Sequence, residues 1–225
     1  MMRLYLDSAD GDAWERLLPY GIFHGITTNP LLAQRAGLSY TTMDWAELIA
    51  RAARYGAQEI HLQVYGSPDT YQGQAQKWYK LGRDHDIDVV VKIPLVKEAI
   101  AVISEIKTLG GKILMTACYG ASQVPIALAL GADYIAPYVG RMVEQGIDAM
   151  AELKAMNMAN QTADHPCALL LASIRSLEQL RDLMGAGHHI FTLSPDLAEA
   201  LLDHPMSIKA RNEFEKAALS GSLKS

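Results

Sequence analysis

A lysine lies inside an apolar run that otherwise has the composition of a buried β-strand. The run is VVVKIPLV, residues 89–96, and the lysine is Lys92. Lysine is almost never fully buried unless another group pairs with it or the protein uses its amine. An apolar cavity disfavours the ammonium form, so the pKa falls and the neutral amine becomes a nucleophile. Such an amine adds to ketones, and the resulting iminium is an electron sink for breaking or making a carbon–carbon bond.

Polar residues also recur at the carboxyl ends of the other apolar runs. If the runs are parallel strands of a barrel, these ends meet at the edge where such barrels carry their sites. There Asp7 could accept a substrate hydroxyl proton, and Tyr138, with Gln63 and Thr116, could move protons or hold a water. A phosphate would lie at the starts of the helices after strands 6 and 7. The candidate catalytic residues are Lys92, Asp7, Tyr138, Gln63 and Thr116, and the candidate substrate-binding residues are Thr27, Asn29, Arg141, Ser173 and Arg175.

Each candidate also has a purely structural interpretation. Lys92 could form an ion pair with Asp7 and do nothing else, or Asp7 could cap a helix that begins near Asp10. Gln63 and Thr116 could be ordinary hydrogen-bonding residues, TTNP (27–30) could be only a turn, and the arginines could be solvated loop charges. The number of polar groups that converge on Lys92 favours a functional site, because a structural pair needs only two partners.

The elements that would position these residues alternate between strand-like and helix-like patterns. Most of the strand-like runs are continuously apolar, as in parallel strands that are covered on both faces, and helical spacing separates them. This order predicts an α/β fold, a single (β/α)8 TIM barrel over residues 1–225, with an additional C-terminal helix at about 206–219. A doubly wound sheet is the alternative, but no G-x-G-x-x-G follows the first run. The predicted strands are 3–7, 24–28, 59–64, 89–94, 112–119, 134–139, 167–173 and 189–194.

Composition limits the classes of partner. A net charge of -5 and no block of Lys or Arg argue against nucleic acid and anionic membranes, so we expect a small-molecule partner. The two cysteines, Cys118 and Cys167, lie in apolar runs and suggest buried thiols in a cytoplasmic protein. We expect no signal peptide and no membrane span. Of the seven histidines only His61 is placed to point into the barrel, and no metal-ligand spacing is present, so we expect no metal and no cofactor.

Several segments together resemble the transaldolase family, and more closely its short fructose-6-phosphate aldolase branch. They are LYLDSAD, GITTNP, HLQV, VVVKIP, TACYGASQ, ADYIAPYVGR and LLLASIR. The resemblance implies that Lys92 is the Schiff-base lysine of strand 4. It implies a sugar site at Asp7, Thr27 and Asn29, and proton transfer by Thr116 and Tyr138. It also implies a phosphate site at Arg141 and Ser173, and a homo-oligomer, a pentamer or a decamer, in which the last helix packs on a neighbour.

The resemblance separates two branches. Transaldolases proper carry glutamate on strand 3 and phenylalanine in the strand 6 motif, whereas the aldolase branch has glutamine and tyrosine, as here at Gln63 and Tyr138. It thus implies cleavage of fructose 6-phosphate to dihydroxyacetone and glyceraldehyde 3-phosphate. The alternatives are a transaldolase that passes the three-carbon unit to an acceptor such as erythrose 4-phosphate, in the pentose phosphate pathway, and the same chemistry on another ketone. Less favoured are a pyridoxal phosphate enzyme and a non-catalytic phosphosugar-binding barrel.

Overall fold

Eight parallel strands alternate with helices in the computed structural model, which describes residues 1–221. The strands are β1 (Arg3–Asp7), β2 (Phe23–Thr27), β3 (Glu59–Gln63), β4 (Asp88–Pro94), β5 (Lys112–Cys118), β6 (Tyr134–Pro137), β7 (Ala168–Leu169) and β8 (Ile190–Leu193). The helices are α1 (Gly11–Leu17), α2 (Pro30–Arg35), α3 (Trp45–Arg54), α4 (Tyr71–Asp84), α5 (Lys97–Ile100), α6 (Ile103–Lys107), α7 (Val124–Ala129), α8 (Val139–Glu144), α9 (Ala149–Gln161), α10 (Leu177–Gly185), α11 (Pro195–Leu202) and α12 (Pro205–Gly221).

The strands form a nearly closed barrel. Their order in the sheet is β7-β6-β5-β4-β3-β2-β1-β8, and every pair is parallel. A parallel bridge between Leu171 and Phe191 joins the two ends, with Leu171 N donating to Ile190 O and Thr192 N donating to Leu171 O, each at 3.0 Å. The predicted (β/α)8 barrel is therefore confirmed. No helix within residues 1–221 is long and apolar enough to cross a membrane.

Side-chain caps begin many of the helices just after the strands end. Asn29 Oδ1 accepts from Leu32 N at the start of α2, and Ser194 Oγ accepts from Leu197 N at the start of α11, where proline follows at the first position. These residues satisfy backbone N–H groups that have no partner within the helix. Asp10, and not Asp7, caps α1. Asp7 therefore does not serve as a helix cap, one of the two structural roles considered for it.

The apolar core has two parts, one inside the barrel and one between the strands and the helices. The outer part packs large side chains of the helices, such as Trp14 and Trp78, on the outward faces of the strands. Both cysteines are buried free thiols, as expected. The inner part fills the barrel below Lys92 with the buried residues Tyr5, Val90, Leu114, Tyr134, Ala136, Leu170 and Ile190.

A charged network closes the barrel at the amino ends of the strands, and we call it the base network: Arg3, Tyr5, His24, Glu59, His61, Lys112 and Tyr134. Its centre is the buried carboxylate of Glu59, which accepts from Tyr5 Oη at 2.7 Å and from Lys112 Nζ at 2.7 Å. Burial by itself would raise the pKa of Glu59, but hydrogen bonds from His61, Lys112 and Tyr5 hold that pKa well below its usual range. The carboxylate therefore stays ionised although it is buried.

The structure differs from the predictions in local details. The seventh strand was expected over 167–173, but beyond β7 it continues only as bridges, since Ser173 has a φ of 62° and leaves the extended conformation. His61 was expected to be the only histidine in the barrel. His24 also lies there, with Nε2 3.8 Å from Glu59 Oε1, because the register between β1 and β2 slips at this residue.

Candidate active site

Lys92 lies at the carboxyl end of β4, inside the barrel, with 5% of its surface exposed. Its Nζ donates to the backbone oxygen of Thr28 at 2.8 Å. Among the described residues no carboxylate lies within ion-pair distance of this amine, so the structural pair with Asp7 is absent. Burial lowers the pKa of Lys92 to about 8, and the charge of Asp7 offsets only part of this effect. About a tenth of the amine is therefore neutral at pH 7, far more than for an ordinary lysine with a pKa of about 10.4.

Asp7, at the end of β1, belongs to a chain of side-chain hydrogen bonds. Thr27 Oγ1 donates to Asp7 Oδ1 at 2.6 Å, and Thr27 Oγ1 is also 2.5 Å from Thr192 Oγ1. A hydroxyl has a single proton, so while Thr27 donates to Asp7, it is Thr192 that donates to Thr27. This chain fixes one oxygen of Asp7 and leaves Oδ2 without a donor among the described residues. That oxygen can accept a proton from a ligand hydroxyl.

Thr116 and Tyr138 lie side by side at the barrel mouth. Thr116 Oγ1 and Tyr138 Oη are 2.8 Å apart, on adjoining β5 and the residue that follows β6. Burial raises the pKa of Tyr138, and the hydrogen bond with Thr116 only partly offsets this. The phenol thus remains protonated at neutral pH, where it can donate a proton and recover one.

Of Gln63 and Asn29, only Asn29 is part of the wall of the cavity that contains the amine. Gln63 is paired with Lys92 in the register of β3 and β4, so both side chains are on one face of the sheet. Its side chain makes no hydrogen bond to a described residue and is not part of the cavity wall, although its backbone N and O both bond to Tyr40 Oη. Asn29 lines the cavity while its side-chain oxygen caps α2.

The positively charged residues lie at the mouth. Arg141 Nη1 donates to Tyr119 Oη at 3.3 Å, and its guanidinium lies 5.0 Å from the ring centroid of Tyr138. Arg175 is exposed, and its Nε donates to Glu144 at 2.9 Å. Between them Ser173 holds a left-handed conformation, and its buried Oγ has no hydrogen-bond partner. The structure thus brings together the three residues expected to bind phosphate, with one polar atom unsatisfied.

The backbone permits this arrangement through Gly140. Its N–H donates to Ser173 O at 2.9 Å. A Cβ on Gly140 would lie 2.0 Å from that oxygen and 2.8 Å from Arg175 Cγ, so only glycine allows α8 to approach this closely.

The cavity consists of a narrow well and a wider basin. The well, about 80 Å³, reaches down to Lys92 between Asp7, Asn29, Thr116 and Tyr138. The basin, about 350 Å³, lies beside it and shares Asp7, Ser173, Arg175 and Thr192 with it. No group of three or more His, Cys, Asp or Glu side chains within residues 1–221 is arranged to hold a metal ion. The site therefore offers a buried amine in a tight well and positive charge around a roomier opening.

Residues 4–224 match the model of the family described as Transaldolase/Fructose-6-phosphate aldolase. The chain belongs to this family. Its enzymes are aldolases and transaldolases, and the resemblance seen in the sequence motifs is thereby confirmed.

Curated relatives of the family carry both names. A "Probable transaldolase" of Phenylobacterium zucineum (strain HLK1) is 29% identical over 214 residues, 95% of this chain and 94% of the relative. A "Probable fructose-6-phosphate aldolase" of Streptococcus pneumoniae (strain ATCC 700669 / Spain 23F-1) is 29% identical over 219 residues, with the same coverage. These names do not distinguish the two activities for this chain.

Solved structures agree with the fold at much lower identity. A putative lactate oxidase of Pediococcus acidilactici superposes with a TM-score of 0.60 at 11% identity, over 88% of this chain and 64% of that one. A designed cube-shaped protein cage gives a TM-score of 0.58 at 15% identity, over 97% of this chain and 77% of the other. At such identities the likeness concerns the fold alone.

Two residues that line the cavity, Thr192 and Arg35, are absent from the site residues predicted from the sequence. Thr192 precedes Ser194 by two residues, so the alternation along β8 could have revealed that it shares that face. Arg35 is the last residue of α2, and no strand-end signal marks it.

Proposed function

We propose that this protein is a class I, Schiff-base-forming aldolase that cleaves and forms fructose 6-phosphate. The observation that carries the proposal is a buried lysine amine with a lowered pKa and no carboxylate partner among the described residues, at the bottom of a well. A buried structural lysine would be expected to have such a partner. An amine that is used as a nucleophile is better without one, because a neighbouring carboxylate favours the charged form.

The surrounding groups have the chemistry that such a reaction needs. Lys92 Nζ adds to the ketose carbonyl, and loss of water gives an iminium. The C3–C4 bond then breaks, its electron pair moves into the iminium to give an enamine, and Asp7 takes the proton of the C4 hydroxyl. Protonation of the enamine and addition of water release dihydroxyacetone and restore the amine. Tyr138 and Thr116 exchange the protons of the imine steps, a role that their mutual hydrogen bond supports.

The choice of aldolase over transaldolase rests on the glutamine and tyrosine at positions 63 and 138. The transaldolase alternative has the same enamine, but passes it to an aldehyde. The relatives carry the names of both activities, so the transaldolase remains the second candidate function. Release of free dihydroxyacetone from fructose 6-phosphate without an acceptor supports the aldolase. Turnover that requires erythrose 4-phosphate supports the transaldolase.

Borohydride trapping is the experiment that tests the Schiff base. The protein is incubated with fructose 6-phosphate, reduced, and examined by intact-mass and peptide mass spectrometry. We expect a stable three-carbon or six-carbon adduct on the peptide that carries Lys92. Absence of any adduct on folded protein, with fructose 6-phosphate and with a panel of other ketoses, would reject the mechanism.

The pH dependence of kcat/KM should follow the neutral fraction of Lys92. Because burial holds its pKa at about 8, kcat/KM should rise about tenfold per pH unit below pH 8 and level off above it. Removing the negative charge in Asp7→Asn removes the effect that raises this pKa, so the midpoint should move to lower pH. The midpoint of the trapping rate with dihydroxyacetone measures this shift separately from turnover. A midpoint that moves upward would contradict the assignment.

Tyr138→Phe should lower kcat by about 100-fold, the order expected for loss of a general acid–base group. The ring and its contact with Arg141 remain, so KM for fructose 6-phosphate should change little. Tyr119→Phe is the matched control, since it removes a hydroxyl bonded to Arg141 and not to Thr116. Equal losses of kcat in the two variants would argue against proton transfer by Tyr138.

A further inference from the structure

Arg35 is a cation at the mouth of the site with no partner among the described residues. It makes no hydrogen bond or ion pair with any described residue, in contrast to Arg141 and Arg175. It lines both the well and the basin. A long, flexible cation at a cavity rim without a protein anion is free to bind an anion from solution.

The other two arginines at the mouth each have a partner in the protein, but only Arg175 has an ion pair. Glu144 pairs with Arg175, and Asp196 borders the basin together with Asp7. A phosphate monoester carries between one and two negative charges at neutral pH, so it binds best where the local charge is clearly positive. Arg141 donates only to the neutral hydroxyl of Tyr119, and Arg35 is the one described arginine of this rim whose side chain makes neither an ion pair nor a hydrogen bond.

We propose that Arg35 binds the phosphate of the substrate from the β2 side of the barrel and thereby sets the preference for phosphorylated over unphosphorylated aldehydes. The inference rests on the proposed function for the identity of the substrate. It assigns Arg35 a role in binding and specificity and none in the chemistry at Lys92. Ser173, whose buried Oγ has no hydrogen-bond partner, lines the same well and basin as Arg35.

Acceptor kinetics with matched substrates test the specificity. Dihydroxyacetone is the donor, and the acceptors are glyceraldehyde 3-phosphate and glyceraldehyde. Arg35→Ala should lower kcat/KM for the phosphorylated acceptor by about 10- to 100-fold through KM, as expected for loss of a charged hydrogen bond, and change the value for glyceraldehyde less than twofold. Arg35→Lys should recover part of the loss. Arg16→Ala is the control, because Arg16 is an exposed arginine that pairs with Glu199 outside both cavities.

A second measurement does not depend on turnover. Inorganic phosphate should raise the Tm of the wild type and of Arg16→Ala, and raise that of Arg35→Ala by less. Equal thermal shifts in all three proteins, or equal kinetic losses for both acceptors, would overturn the role of Arg35. Failure of borohydride trapping on Lys92 would instead reject the proposed function, while the phosphate shift would still decide whether Arg35 binds the anion.

Discussion

Replacing Lys92 by methionine should abolish turnover of fructose 6-phosphate, with kcat falling by at least about 1,000-fold, because no other lysine amine among the described residues lines the well. Methionine keeps most of the length and the apolar stem of lysine while it removes the amine. Lys92 has no ion pair within residues 1–221 and gives up only its bond to Thr28 O, so the fold should survive. Steady-state kinetics and borohydride trapping on the same preparation measure both consequences.

Lys80→Met provides the matched control for this variant. Lys80 makes an exposed ion pair with Asp84 on α4. The Lys80→Met variant should keep full activity, and borohydride trapping should still give the adduct on Lys92. Substantial turnover in Lys92→Met would disprove the Schiff-base assignment, and a remaining adduct would place the reactive amine elsewhere.

Replacing Glu59 by alanine should cause the largest loss of stability. The change leaves Lys112, Tyr5 and Tyr134 without their shared acceptor inside the barrel. Lys112 is partly exposed and keeps its ion pair with Asp88, so the cost comes mainly from the buried hydroxyls of Tyr5 and Tyr134. A buried polar group left unsatisfied costs about 1–3 kcal/mol, and the two together should lower Tm by roughly 10 °C in a chain of this size. Thermal and denaturant unfolding measure the effect, and trapping on Lys92 well below the lowered Tm should persist.

Glu47→Ala is the appropriate comparison for Glu59→Ala. Glu47 also forms a short ion pair, 2.6 Å from Arg54, but both side chains are largely exposed. Exposed pairs contribute little, so Tm should hardly change. Equal shifts in Tm for the two variants would show that the base network contributes no more to the stability of the barrel than an exposed ion pair does.

The barrel could be predicted from the sequence because its signals are local. Continuous apolar runs and helical spacing recur along the chain, and alternation placed Lys92 on the same face as Val90. The same reasoning predicts that Asp7, Thr116 and Tyr138 lie at one edge of the barrel. These residues are indeed gathered in one cavity.

What the sequence could not reveal depends on contacts between distant segments. Glu59 begins a strand and looks like an ordinary surface residue, yet it is buried because Tyr5, Lys112 and Tyr134 converge on it from β1, β5 and β6. Ser173 likewise adopts the αL conformation at a point where Gly140, more than 30 residues earlier in the chain, closely approaches its backbone oxygen. Arg35 reaches the mouth only through the path of α2, a short helix whose direction no pattern encodes.

The filled base of the barrel makes the well blind-ended. For the reaction proposed above, every molecule must enter and leave through the one rim that Arg35, Arg141 and Arg175 surround. The aldehyde fragment therefore has to depart before water can free the three-carbon fragment that is attached deeper in the well. This fixed order of exit predicts that the aldehyde product, while it occupies the rim, protects the covalent intermediate from hydrolysis.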